Sequence, residues 1–394
     1  MTLTKAVTCH AGARDGYHLS AALHSIGALE KLVTDLYMPT LLQGFFTGRH
    51  NADLPSSKTE SMFWNFLREK TLNENFLFTD KILSQKAFNV AKKEKSNFFL
   101  TSYTAFEAFN NAINEGLHSS RLLFQIHPHP MTVRRILSEE LCYTPEAEFS
   151  IRAEHEMNAS KEMLFRLDQE SHLASSILVA SSFTKESLVE NGISADKVTV
   201  LPYGVDSVRF ARKLNYSKNN GPIKVLFVGQ MVQRKGLSYL LEALKRLKSE
   251  HVELTIVGRG RIDEVLLDAY RPFVSFNVIN GLSHIALIEC FHSNDVMVLP
   301  SLIEGFGHVI LEAMSAGLPV VCTKNTAGPD LFLSGNEGIV VPIRDSDAIA
   351  RSIEDLALDK LKLEIMGTSA AETARQFTWT KHIDGIKDFY IKHS

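Results

Sequence analysis

Two α/β domains in tandem, each a doubly wound parallel sheet, are what this 394-residue sequence predicts. Three observations point there. Short apolar runs alternate with helical stretches, the pattern of strand–helix–strand units. The alternation breaks at a polar segment, residues 213–222, and restarts directly after it. The length suits two cores of roughly 150–200 residues each.

Taken in order, residues 5–10 (KAVTCH) read as a strand, followed by a loop with Gly12 and Gly16 and a helix over about 17–32. Buried strands follow at 122–126 and 177–180. Ser181 and Thr184 then cap a helix beginning near Lys185. Residues 198–201 form a short strand closed by Pro202-Tyr-Gly204. The segment 213–222 carries the Asn, Ser, Gly and Pro content of an exposed linker, which bounds a first domain at 1–212. A second domain, 223–376, offers strands at 224–228, 252–257, 274–279, 295–299, 320–323 and 338–341, with a helix over 236–248. An apolar-patterned helix with Trp379, Phe389 and Tyr390 occupies 377–394.

Composition narrows the classes. The chain is 45% hydrophobic and 22% charged, as soluble globular proteins are. Lys and Arg total 42 against 45 Asp and Glu, a net charge of −3, which argues against a nucleic-acid coat. No apolar run approaches the roughly 18 residues of a membrane span, and the start lacks a signal-peptide pattern. Cys9, Cys142, Cys290 and Cys322 form no CxxC pair, which fits a reduced cytoplasmic setting and neither a disulfide frame nor a zinc site. Gly258-Arg-Gly260 lacks the third glycine of a dinucleotide loop, and Asp345-Ser-Asp347 precedes a helical stretch, where capping is the commoner role than metal binding. His127-Pro-His129 lacks a third ligand.

The segment that carries chemistry is 299–322, LPSLIEGFGHVILEAMSAGLPVVC. A strand ends near Pro300, a loop holds Glu304, and a helix runs from about Gly307 to Ala316. Gly305 and Gly307 leave backbone N–H groups unshielded at that helix start, a natural place for phosphate or hydroxyl oxygens. Glu304 and Glu312, eight apart, suit hydroxyl-rich ligands such as ribose and hexose; a helix cap plus a surface glutamate is the bland alternative.

Glu304-x7-Glu312 within EGFGHVILEAMSAGLPVV resembles the E-x7-E signature of the family-4 retaining glycosyltransferases, which have the GT-B fold. The resemblance extends to VGQMVQRKGLSYLLEAL (228–244) and LVASSFTKESLVENGISADKVTVLPYGVD (178–206), and covers most of 175–345. It implies two Rossmann-like domains facing a cleft, with the last helix crossing back to the first domain. It implies transfer of a hexosyl unit from a UDP- or GDP-linked sugar to a saccharide or lipid-linked acceptor, in bacterial polysaccharide or glycolipid synthesis.

By the same resemblance Arg234 and Lys235 bind the donor diphosphate, Glu304 holds a sugar hydroxyl with the backbone of Gly305, Phe306 and Gly307, and Glu312 binds the ribose. Gly229, Val309 and the backbone of Ile279, Gly281 and Leu282 complete the donor site. His308 either touches the sugar or caps the helix. Where the family often has Arg after the strand's glycine, this chain has Gln230. In the first domain the resemblance puts Gly12 in the loop whose backbone approaches the diphosphate and acceptor, His127 reaches the cleft near the sugar from a strand end, and Arg14, Asp15, His18 and His127 are acceptor candidates. Glu154 and Glu156, with Arg152, read as a solvated helix face. The catalytic group is thus Glu304, Lys235, Arg234 and His127. No metal or other cofactor is implied, the two cations meeting the diphosphate charge.

Residues 81–95 carry five Lys and one Glu in an amphipathic pattern, near Leu41, Leu42, Phe45, Phe46, Phe63, Trp64 and Phe66. An anionic membrane surface or an ordinary solvated helix accounts for it equally well. Rival readings are another GT-B enzyme, a phosphorylase or epimerase, and a non-catalytic sugar-nucleotide-binding partner.

Overall fold

A computed structural model describes residues 3–13, 15–38, 49–62, 76–216, 221–247 and 251–394; Arg14 and the apolar residues named between 41 and 66 lie outside them. Among the described residues the first sheet comprises β1 (Ala6–His10), β2 (Leu29–Thr34), β3 (Thr59–Ser61), β4 (Asn97–Thr101), β5 (Arg121–Gln125), β6 (Ser176–Val179) and β7 (Val198–Val200). The second comprises β8 (Ile223–Val228), β9 (Val252–Gly258), β10 (Phe276–Asn280), β11 (Val296–Leu299), β12 (Val320–Thr323) and β13 (Gly338–Val341). Their orders are β3-β2-β1-β4-β5-β6-β7 and β10-β9-β8-β11-β12-β13, with every pairing parallel. Parallel strands are covered on both faces, which is why β1 and β11 are buried throughout and β11 is wholly apolar.

Each chain segment enters its sheet in the middle. β1 lies between β2 and β4, and β8 between β9 and β11, so the strand order reverses there. At such a reversal the carboxyl ends of neighbouring strands open a crevice. Both crevices face one cavity.

The first helix is shorter than the sequence suggested. It spans His18–Ser25, Gly27 turns the chain at φ 72°, and Leu29–Thr34 becomes β2. A glycine in the left-handed region is the usual helix stop. β3 and β4 were not anticipated; the Phe98-Phe99-Leu100 run of β4 is the signal that could have shown it. The polar segment at 213–222 is also not simply exposed. Lys213 is buried and donates to the Asn294 carbonyl at 2.6 Å, and the Tyr216 hydroxyl donates to that of Gly317 at 2.8 Å. Lys213 and Tyr216 are therefore packed on the second domain while Leu214 between them is exposed, and burial pushes the Lys213 pKa down to about 8.

The last helix, Trp379–His393, packs on His18–Ser25, and its Tyr390 hydroxyl donates to the Thr4 carbonyl, so it belongs to the first domain. Asp345 caps the helix Ser346–Leu358 by accepting from Ala348 N at 2.8 Å, and Asp347 pairs with Arg246. In the basic helix Phe76–Glu94, Lys81 pairs with Glu162, Lys86 with Glu60 and Lys92 with Glu115. Its positive charge is largely compensated within the protein. Among the described residues no helix is long and apolar enough to cross a membrane.

Candidate active site

The second domain contributes a cation turn and an acidic loop. Gly236, at φ 70°, follows the turn Gln233–Lys235, and a Cβ there would stand 1.9 Å from the Pro300 carbonyl oxygen. Only glycine lets this turn sit on the end of β11. The Leu302 amide donates to the Arg234 carbonyl at 2.9 Å, locking turn to loop. The loop is fixed from behind: Glu304 N donates to the Asn325 carbonyl at 3.0 Å, and Asn325 Nδ2 to that of Leu302 at 2.8 Å.

Three charged side chains meet there. The buried Glu304 carboxylate accepts from Lys235 Nζ and from Ser301 Oγ at 3.2 Å, with Arg234 Nη1 at 3.9 Å. Arg234 also donates from Nη1 to the Ile303 carbonyl at 3.1 Å and from Nη2 to Gln230 Oε1 at 3.3 Å. Burial would push the Glu304 pKa up, but Lys235 and Arg234 hold it below the usual carboxylate range. Burial pushes Lys235 down, opposed by Glu304. Burial also opposes the Arg234 charge, but Glu304 and Glu154 outweigh it and hold its pKa up.

Gly307, at φ 84°, starts the helix His308–Ser315, which has no side-chain cap. His308 instead lies against Tyr203, with ring centres 4.5 Å apart, and Phe306 meets the same tyrosine edge-on at 5.2 Å. The protein around the His308 ring pushes its pKa down to about 4, so it is neutral near pH 7.

The first domain supplies the ends of β1, β4 and β5. Tyr103 sits at φ 80°, a conformation unusual for a side-chain-bearing residue. Glu170 holds it there, accepting from the amides of Tyr103 and Ala105 at 2.8 Å and of Phe106 at 3.2 Å. Burial pushes the Glu170 pKa up to about 7 against those bonds and Arg166. The Tyr103 ring meets His127 edge-on, centres 5.9 Å apart. The Gly12 amide donates to Asp35 Oδ1 at 3.0 Å, and Arg49 Nη1 reaches the Asp35 oxygens at 2.8 and 3.1 Å.

The two halves enclose a cavity of about 900 Å³, lined by Gly12, His127, Gly229, Arg234, Lys235, Glu304, Gly305, Phe306, Gly307, His308 and Val309 among others. Gly305 is one place where the domains touch. Its carbonyl accepts from Ser181 Oγ at 2.7 Å and Thr184 Oγ1 at 3.2 Å.

Other expected residues stand elsewhere. Ile279, Gly281, Leu282 and Glu312 are outside this lining, and Glu312, one turn into its helix, has its pKa pushed up to about 6 by burial. Asp15 and His18 do not reach the cavity either. Asp15 is buried and accepts from the amides of Tyr17 and Leu19 at 2.9 Å, opening the first helix, and His18 stacks on Trp379 at 4.5 Å. Their side chains are consumed by the fold. Glu154 reverses the opposite expectation. It is buried, lines the cavity and accepts from Arg234 Nε at 3.1 Å, so it is no solvated face. Tyr103, Asp35 and Arg49 also line the cavity. Sequence reasoning passed over all three, and for Tyr103 the undetected β4 was the missing signal.

Residues 210–373 match the family Glycosyl transferases group 1. That match covers the second domain, less than half of the chain, and the whole chain has the GT-B fold. The chain is 28% identical over 224 residues to a glycogen synthase of Mycobacterium tuberculosis, covering 55% of the chain and 54% of that protein. The match therefore spans about half the length of that relative. The solved sucrose-phosphate synthase of Thermosynechococcus elongatus is similar at a TM-score of 0.67 and 17% identity over 98% of both chains. HepE of Anabaena, in complex with UDP, is similar at 0.61 and 17%, again over 98% of both. At such identity these two likenesses show the fold.

Proposed function

We propose that this chain is a group 1 glycosyltransferase that moves a hexosyl unit from a UDP- or GDP-linked sugar to a saccharide or lipid-linked acceptor, with retention at the anomeric carbon, in bacterial polysaccharide or glycolipid synthesis. The observation that carries the reading is the contact cluster of Arg234, Lys235 and Glu304 at the strand-order reversal of the second sheet, facing a cavity shared with the first. Two cations there suit a departing diphosphate. A buried carboxylate beside them suits a sugar hydroxyl, and Glu312 in the following helix suits the ribose. HepE, on the same fold, is a UDP complex, and glycogen synthase is named for making a polysaccharide.

In the retaining route the acceptor oxygen bonds to the anomeric carbon on the face from which the diphosphate leaves. The leaving oxygen takes the acceptor proton. The protein supplies charge through Arg234 and Lys235, orientation near His127, and exclusion of water between its domains. The two cations meet the diphosphate charge in this reading, without a metal ion. A lipid-linked acceptor would bring the chain to the cytoplasmic membrane face. The ion-paired lysines of Phe76–Glu94 do not favour attachment through that helix.

The test is a thermal-shift screen of UDP, GDP, ADP and their sugar conjugates, with and without EDTA, on the wild type and Lys235→Ala. Selective stabilisation by UDP or GDP, insensitive to EDTA and lost in the variant, is the expected outcome. No shift with any nucleotide would sink the donor reading, and a shift abolished by EDTA would sink its metal-free form.

A further inference from the structure

The cation turn of the second domain is gripped by the first. Gln233 is buried; its amide donates to Ser150 Oγ at 3.2 Å and its Nε2 to Glu140 Oε1 at 2.7 Å. Glu140, wholly buried, also accepts from the Tyr239 hydroxyl at 2.8 Å and from Arg344 Nε at 2.7 Å. The backbone that carries Arg234 and Lys235 is thus held from both domains, and it has little freedom to move when a ligand arrives.

Glu154 is different. It is 5% exposed and lines the cavity, yet among the described residues one of its oxygens is used and the other is not: Oε2 accepts from Arg234 Nε, while Oε1 is buried with no hydrogen-bond partner there. Two parallel bonds are the strong form of an arginine–carboxylate contact, and a buried oxygen left unsatisfied carries a penalty. Here the pair is half made. The neighbouring cation is also occupied by a carboxylate, Glu304. In this state Arg234, Lys235, Glu154 and Glu304 sum to zero charge, where a diphosphate would need a positive site.

We propose that Glu154 is an internal stand-in for the donor phosphate on Arg234, an acidic side chain of the first domain that the nucleoside diphosphate displaces when it binds. This rests on the donor reading above. Glu154 holds the guanidinium aimed into the cavity before the donor arrives. It then yields, because its bond is single and its second oxygen gains a partner on moving. Diphosphate binding and release of this contact between the domains are therefore one exchange. Glu154 is a positioning residue that also sets the affinity for the leaving nucleotide, since product release lets it return.

The test measures dissociation constants of UDP, GDP, UMP and GMP for the wild type and Glu154→Gln by calorimetry. The substitution keeps the shape and the oxygen acceptor and removes the charge. We expect the diphosphate constant to fall at least about threefold while the monophosphate constant stays within error, because the competition is for the phosphate that Arg234 holds. A merely structural role would weaken both together, with a lower melting temperature. Unchanged or weaker diphosphate binding by a variant that melts like the wild type overturns the stand-in. A wild type that binds none of the four overturns the donor reading, and this inference with it.

Discussion

Replacing Gly305 by Ala tests how closely the two domains must approach. A Cβ at this position would stand 2.3 Å from the Ile126 carbonyl oxygen and 3.5 Å from His127 Cα, both on the opposite domain. An ordinary carbon–oxygen contact is about 3.3 Å or longer, so roughly 1 Å of separation must be found. The loop cannot retreat, because Glu304 N and Asn325 Nδ2 tie it to its own sheet. The domains must part instead, straining the Ser181 and Thr184 bonds to the Gly305 carbonyl. Forcing a methyl group into a packed contact costs about 1–3 kcal/mol. A displacement of this size between substrate-positioning groups can lower turnover by about 10²-fold. On the proposed donor reading the second domain holds the nucleotide, so its affinity should change by less than about threefold. Single-turnover sugar transfer, or donor hydrolysis in its absence, and calorimetry of UDP or GDP separate the two effects. Wild-type turnover in Gly305→Ala would refute the reasoning.

Two further expectations follow from buried groups. His382 is buried, its Nδ1 lies 2.9 Å from the Pro202 carbonyl, and burial pushes its pKa from 6.5 down to about 4. Its contribution to stability is full above about pH 6.5, where the unfolded imidazole is also neutral. It is lost as pH falls towards 4, by on the order of 3 kcal/mol; His382→Asn, which can keep the bond to Pro202, should therefore flatten the fall in melting temperature over that window, and an unchanged slope would contradict this. Removing Glu140 takes one acceptor from each of Gln233, Tyr239 and Arg344 at the domain contact, though Gln233 keeps Ser238 and Arg344 keeps Glu139, so Glu140→Ala should cost about 3 kcal/mol in chemical denaturation, and a loss below about 1 kcal/mol would show that contact to be unimportant.

The sheet class, and much of what the second domain contributes to the cavity lining, can be read from the sequence. Gly236 and Gly307 take left-handed conformations that mark the ends of strand–loop–helix units, and Lys235 and Glu304 sit one residue and three residues from them. Such turns are encoded by neighbours within a few residues, so they can be read locally. Tertiary structure alone decided what those groups touch. Glu154 and Arg234 are 80 residues apart, and Glu140 and Arg344 are 204 apart, joined only because two sheets approach face to face. The same cause misled the reading of Asp15, Lys213 and Glu154. A charged residue's local pattern does not say whether its partner is water, a helix amide or a cation on another domain. Only the packing of the whole chain chooses among these, because burial and partner arrive together.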